Sequence, residues 1–232
     1  MVLLFIHGAG GGGDLWRNQT AYFPGSVAVD LPGHPTGQGF HSIEDYGNWV
    51  RGYVYAREMA PVVLVGHSMG GAIAQCLAIN HPEMLRALVL VSTGARLKVT
   101  PQIFQALEGD YEKAVDFMLG NSFGPEASPE LLEETKKLRL RVPREVTRGD
   151  YQACDNFDVM DRLGAISIPT LIICGTADKM TPVKYCQYLL SHISGSKLEE
   201  IPGSGHNVML EKPAEFNSAL ERFLSGLEKD GR

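Results

Sequence analysis

The chain has no long apolar run, no excess of basic charge and no cysteines at C-x-x-C spacing, and each absence removes a class of protein. Its apolar opening stretch, Met1 to Ile6, has no basic residues in front of it and is stopped by His7. A bilayer span needs about 20 apolar residues and a secretory leader needs a positive n-region, so neither membrane spanning nor export by that route is expected. Lys plus Arg number 21 against 27 for Asp plus Glu, a net charge of -6. That balance supplies no basic field, so nucleic acid is not an expected partner. Cys76, Cys154, Cys174 and Cys186 read as reduced, structural thiols, two of them in apolar runs, with a cytoplasmic location expected. There is no H-E-x-x-H, no Cys or His cluster at ligand spacing and no G-x-x-x-x-G-K-S/T loop, so neither a metal nor another cofactor is expected.

With 232 residues, 44% of them hydrophobic, the chain fits one large domain or one domain with an insertion. Short aliphatic runs at Val2 to Ile6, Val27 to Asp30, Val62 to Val65, Ala87 to Val91, Thr170 to Cys174 and Leu198 to Ile201 alternate with helical patterns. Those patterns cover Ser42 to Glu58, Met69 to Ile79, Pro182 to Ser191 and Pro213 to Leu227. Such alternation predicts parallel β-α-β units and an α/β fold with a doubly wound sheet. The rhythm breaks between Val91 and Thr170, a gap too long for one crossover. Three helical stretches inside it, from Thr100-Pro101, from Tyr111 to Leu119 and from Ser128-Pro129, predict a helical cap over residues 95–156 inserted in a core of 1–94 and 157–232. The tail from Lys229 to Arg232 is expected to fray.

The chemistry centres on Gly66-His67-Ser68-Met69-Gly70, placed between a buried strand and an apolar helix. A sharp strand-to-helix turn strains the serine and crowds the residues two before and two after it, which is why both are glycine. A serine hydroxyl needs a base, and the base needs a carboxylate to orient it. Asp178 follows the strand ending at Cys174, and His206 follows the strand ending at Ile201, giving the chain order Ser, Asp, His at strand carboxyl ends. Asp178 also reads as a cap for the helix after it. His67 reads as a packed neighbour of the nucleophile, and His34, His41, His81 and His192 as loop or helix-end residues.

These segments resemble the α/β-hydrolase superfamily, in its single-domain, cap-bearing serine esterase-like branch. The resemblance runs through His7-Gly8, Asp30-Leu31-Pro32-Gly33-His34, the Ser68 elbow, Gly175-x-x-Asp178-x-x-x-Pro182, and Gly205-His206 with Glu211-x-Pro213. It implies Ser68 as nucleophile, His206 as base and then acid, Asp178 as the orienting carboxylate, and the backbone N–H groups of Ala9 and Met69 as oxyanion donors. Chains of this type carry an antiparallel strand pair before the His-Gly strand; here that strand starts at Val2. The expected α/β-hydrolase sheet therefore has six strands, all parallel, with Val27 to Asp30 as an edge shielded by a loop or by a second chain in a homodimer.

The implied activity is carboxylesterase chemistry on a small-molecule ester of short to medium acyl chain. Phe104, Tyr111, Phe117, Met118 and Phe123 either line its pocket or pack the cap. Two other readings stand beside it. One is a lactonase or C-C bond hydrolase with an anionic substrate, from Arg139, Arg141, Arg144 and Arg148. The other is a slow-turnover ligand-binding protein of the same fold.

Overall fold

Strands buried on both faces need apolar residues at consecutive positions, and the chain supplies them. In the structure, a computed structural model describing residues 2–229, these runs form β1 (Val2–Ile6), β2 (Val27–Val29), β3 (Val62–His67), β4 (Leu85–Val91), β5 (Thr170–Gly175) and β6 (Lys197–Ile201). They make one parallel sheet in the order β2-β1-β3-β4-β5-β6, as expected. Residues 230–232 of the tail expected to fray lie outside the described residues, as does Met1.

Successive side chains leave opposite faces of the sheet. Leu4, Ile6, Leu64, Leu88 and Leu90 join α2 (Ile43–Ala56), α3 (Met69–Asn80) and α8 (Val183–His192) in one core. Leu3, Phe5, Val63, Val65, Val89 and Ile173 meet α10 (Pro213–Lys229) in the other. There Trp16, fully buried, packs between the tilted rings of Phe5 and Phe216 at centroid distances of 4.8 and 5.9 Å. Each such buried side chain contributes about 1.5–3 kcal/mol. Both sheet edges are blunted. β2 has three residues and lies against the Gly13–Trp16 turn, and β6 carries Lys197, Glu199 and Glu200. The remaining short helices are α1 (Arg17–Tyr22) and α9 (Val208–Glu211).

The insertion holds four helices, not three: α4 (Pro101–Glu108), α5 (Tyr111–Ser122), α6 (Pro129–Leu140) and α7 (Arg144–Asn156). α7 escapes the periodicity reading because its buried face includes Thr147, Gly149 and Asp150 beside Val146, Tyr151 and Cys154. At the neck of the insertion, Arg96 and Asp158 form an antiparallel bridge and Val159 N donates to Ala95 O at 2.8 Å.

Several glycines are fixed by close approach. A Cβ on Gly175, at the end of β5, would collide with the backbone oxygens of Ser204 and Gly205, which lead to His206. Gly175→Ala is expected to lower unfolding stability by about 2–3 kcal/mol through overpacking. Gly226→Ala, on open helix surface, is expected to raise it by about 0.5–1 kcal/mol. Urea unfolding of both variants checks this, and equal effects would contradict the packing argument.

Candidate active site

Ser68 stands where β3 runs into α3, with φ 53° and ψ -115°, a conformation in the left-handed region that a serine adopts only under constraint. The constraint is visible on all sides. A Cβ on Gly66 would overlap Gly70 O, and one on Gly70 would lie 2.5 Å from Ile6 O. Ser68 N donates to Val91 O at 2.9 Å, and the Thr93 hydroxyl donates to Ser68 O at 2.9 Å.

The loops after β5 and β6 bring Asp178 and His206 together. His206 Nδ1 lies 2.8 Å from Asp178 Oδ2, both side chains almost fully buried. The Asp178 carboxylate also accepts from Met180 N, Thr181 N and Thr181 Oγ1 at 2.8, 2.9 and 2.8 Å. It thus caps the following turn and orients the histidine at once, while Pro182 holds the cap position of α8. Burial alone would raise this carboxyl. His206 and the donors of Thr181 outweigh burial and hold Asp178 below its ordinary range. With the shared proton on Nδ1, Nε2 of His206 keeps its lone pair.

Ser68 and His206 line the same cavity of about 190 Å³. No hydrogen bond joins the Ser68 hydroxyl to the imidazole among the described residues; such contacts commonly tighten only with substrate present. Ala9 lines this cavity too. Gly8 O accepts from His7 Nδ1 at 2.9 Å and Gly11 N at 3.1 Å, so the Ala9 N–H across that trans peptide points the opposite way. Met69 N opens α3 and, like Ala9 N, donates to no acceptor among the described residues. Apolar walls come from Leu97, Ile103, Phe117, Met118 and Met180. Of the cap aromatics singled out, Phe117 faces the cavity, Phe104 packs on the core, and Phe123 is buried. The Tyr111 hydroxyl is taken up by Val142 O and Thr147 at 2.9 Å each.

One reading of the sequence needs correction. None of Arg139, Arg141, Arg144 and Arg148 lines the cavity. Arg141 pairs with Asp14, Arg144 donates to Gly109 O, and Arg139 donates to Ala9 O. The cationic lining residues are Lys98 and Lys179. His34 lies in a loop, as expected, and is buried against Asp150, at 2.8 Å. Sequence reasoning also missed Thr181, Thr93 and Glu211 as supports. Glu211 Oε2 accepts from Gly124 N and Gly205 N at 2.8 and 2.9 Å, tying the cap to the His206 loop. Thr181 and Glu211 stand inside the quoted motifs, and the Asp-x-x-Thr spacing is a local signal for Thr181; Thr93 has none. Among the described residues no group of three or more His, Cys, Asp or Glu is arranged to hold a metal ion. No described helix is long and apolar enough to cross a membrane.

The family profile described as Alpha/beta hydrolase family matches residues 3–219. The chain is similar to a 3-oxoadipate enol-lactonase from Acinetobacter baylyi, 30% identical over 96% of this chain and 88% of that protein. A solved thermophilic esterase superposes with TM-score 0.87 and 39% identity, covering 97% of this chain and 90% of the other. An N-acyl homoserine lactone degrading enzyme superposes with TM-score 0.85 and 28% identity, covering 96% and 93%.

Two buried histidines beside the elbow are held neutral. Burial, with His34 nearby, lowers His7 to about 3, and burial with His206 nearby takes His67 well below its usual value. A histidine depressed on folding binds its proton more readily when unfolded, so its stability contribution is present above pH 6.5 and lost below it. Each contributes a slope of about 1.4 kcal/mol per pH unit in that window. Glu211, raised chiefly by burial, works partly against them, and Asp178 acts only at lower pH. Unfolding stability is expected to be about 1–3 kcal/mol lower at pH 5 than at pH 6.5. Denaturant melts at both pH values check this, and a flat profile contradicts it.

Proposed function

The chain belongs to the alpha/beta hydrolase family, and from that premise we propose that it cleaves carboxylic esters through an acyl-enzyme formed on Ser68. One observation carries this reading: a strained serine faces the same cavity as a histidine bonded to a buried carboxylate. His206 Nε2 takes the Ser68 proton as Oγ attacks the ester carbonyl, and Asp178 stabilises the imidazolium that forms. The N–H groups of Ala9 and Met69 receive the oxyanion, Met69 with help from the α3 dipole. His206 then protonates the leaving alcohol and later activates water to release the acid. A cavity of about 190 Å³ suits short acyl chains, being smaller than the roughly 300 Å³ at which drug-sized pockets begin.

A second reading, lactone hydrolysis, uses the same steps on a cyclic ester. The 30% identical enol-lactonase supports it, and Lys179, exposed at the cavity, offers a partner for an anionic group. Binding without turnover has no use for a strained serine.

Release of p-nitrophenol from acyl esters of increasing length, with wild type beside Ser68→Ala, tests the proposal. The variant is expected to lose about 10³-fold or more in kcat, with activity falling beyond medium chains. Equal rates in both proteins would refute it. Lactones assayed in parallel separate the two readings: a preference for lactones over linear esters in kcat/KM favours the second.

A further inference from the structure

Arg139 and Asp150 belong to the cap, yet their polar atoms reach into the core loop that carries Ala9. Arg139 Nη1 donates to Ala9 O at 3.0 Å, and Asp150 Oδ2 accepts from Gly10 N at 2.8 Å. Those two atoms are the carbonyl and the amide of one peptide bond, which point in opposite directions. The bond is therefore held on one side by a cation and on the other by an anion, and the two charged groups form no ion pair with each other. Ahead of it, Gly8 O is held by His7 and Gly11 N. The Ala9 N–H belongs to this held Gly8–Ala9 peptide, directly before the clamped Ala9–Gly10 peptide.

The rest of the cluster keeps the anion in place. Asp150 is fully buried and also accepts from Tyr46 OH at 2.7 Å and His34 Nε2 at 2.8 Å. His34 Nδ1 faces only carbonyls, those of Leu31 and Pro32, so both of its ring nitrogens must donate and it is an imidazolium. Arg139 is 6% exposed, its Nε has no partner, and Ala9 O is its only hydrogen-bond acceptor among the described residues. A buried cation so thinly satisfied is costly, and an apolar side chain of similar size would serve packing better.

We propose that Arg139 and Asp150 are positioning residues that clamp the Ala9–Gly10 peptide, so that the cap preorganises the oxyanion donor of the core. The inference rests on the serine hydrolase reading above. Preorganised donors stabilise charge only if they do not reorient during reaction, and a glycine-rich loop without such a clamp would.

The test uses the whole protein and the variants R139M, R139K and D150N, with R141A on the exposed surface as control. Reaction with a fluorophosphonate, read by mass spectrometry at Ser68, first counts competent sites in each protein. Per competent site, R139M and D150N are expected to lose about 10- to 100-fold in kcat with KM within about twofold. Affinity for a trifluoromethyl ketone, which mimics the oxyanion, should fall in parallel, R139K should recover part of the loss, and R141A should match wild type. Values of kcat within twofold of wild type in both R139M and D150N, or a loss confined to KM, overturn the clamp. Absence of Ser68 labelling in wild type instead overturns the hydrolase reading itself. Should the variants fail to fold, amide exchange in wild type decides. Gly10 N–H protected like the central strands upholds the clamp, and exchange at loop rates overturns it.

Discussion

The molecule is organised around one strained residue, Ser68, whose φ of 53° is maintained by contacts that leave it no alternative. Such a conformation costs on the order of 1–3 kcal/mol and persists only where its surroundings over-determine it. Here β3 lies between β1 and β4, so the turn is fixed by backbone on both sides. Ile6 O presses on Gly70, while Val91 O and the Thr93 hydroxyl hold Ser68 from the β4 side. α3 begins within this packing and is buried along most of its length, so it cannot swing to relieve the turn. The double apolar face of the sheet is thus the reason a serine can stand exposed to a cavity in a conformation it would not choose.

A connection leaves the carboxyl end of each of the six strands, and the cap touches those that carry Ala9 and His206. Ser122 O, at the end of α5, accepts from His206 N at 2.8 Å. Glu211 bridges Gly124 of the cap and Gly205 of the core, and Asp150 joins α7 to α2 through Tyr46. These links are buried or half-buried, and all but the one to Tyr46 are made to backbone, which differs in kind from exposed ion pairs such as Arg17 with Glu134. A cap tied in this way forms part of the wall of the site, and lifting it would dismantle the His206 loop. The cavity wall is shared in the same way, by Leu97 to Thr100 and by Lys179, Met180, Thr181 and Tyr185.

How much of this the sequence discloses depends on the range of the interaction. The six strands, their order of appearance and the elbow are local patterns, legible from runs of aliphatic residues and from Gly66 and Gly70 flanking Ser68. Asp178 and His206 are legible because strand ends converge at one edge of a parallel sheet. What the sequence conceals is long-range and polar. Asp150 meets Gly10, His34 and Tyr46 across more than a hundred residues, and no spacing announces it. The same contacts explain why the apolar stripe of α7 is interrupted: Thr147 and Asp150 share its inward face with Val146, Tyr151 and Cys154. The arginines after residue 138 read as a charged patch, but only Arg139 turns inward, and a periodicity of 3.6 does not reveal which member of a run is buried.

The buried histidines are sorted by partner chemistry, not by burial, which all share. His34 faces acceptors at both nitrogens and carries charge. His7 faces an acceptor at Nδ1 and the Leu31 N–H, 3.1 Å away, at Nε2, which suits only the neutral ring. His67 meets the carbonyl of His206 at 2.9 Å through Nε2 and nothing at Nδ1, so a second proton there would have no acceptor. This assignment bears on the site directly, because the His67 and His206 rings lie 4.8 Å apart. A cation on His67 would oppose an imidazolium forming on His206, through a medium of low dielectric. On the proposed mechanism, neutral His7 and His67 leave His206 to gain its proton beside Asp178 alone, and the permanent positive charges near the Ala9 loop are Arg139 and His34, the latter paired with Asp150.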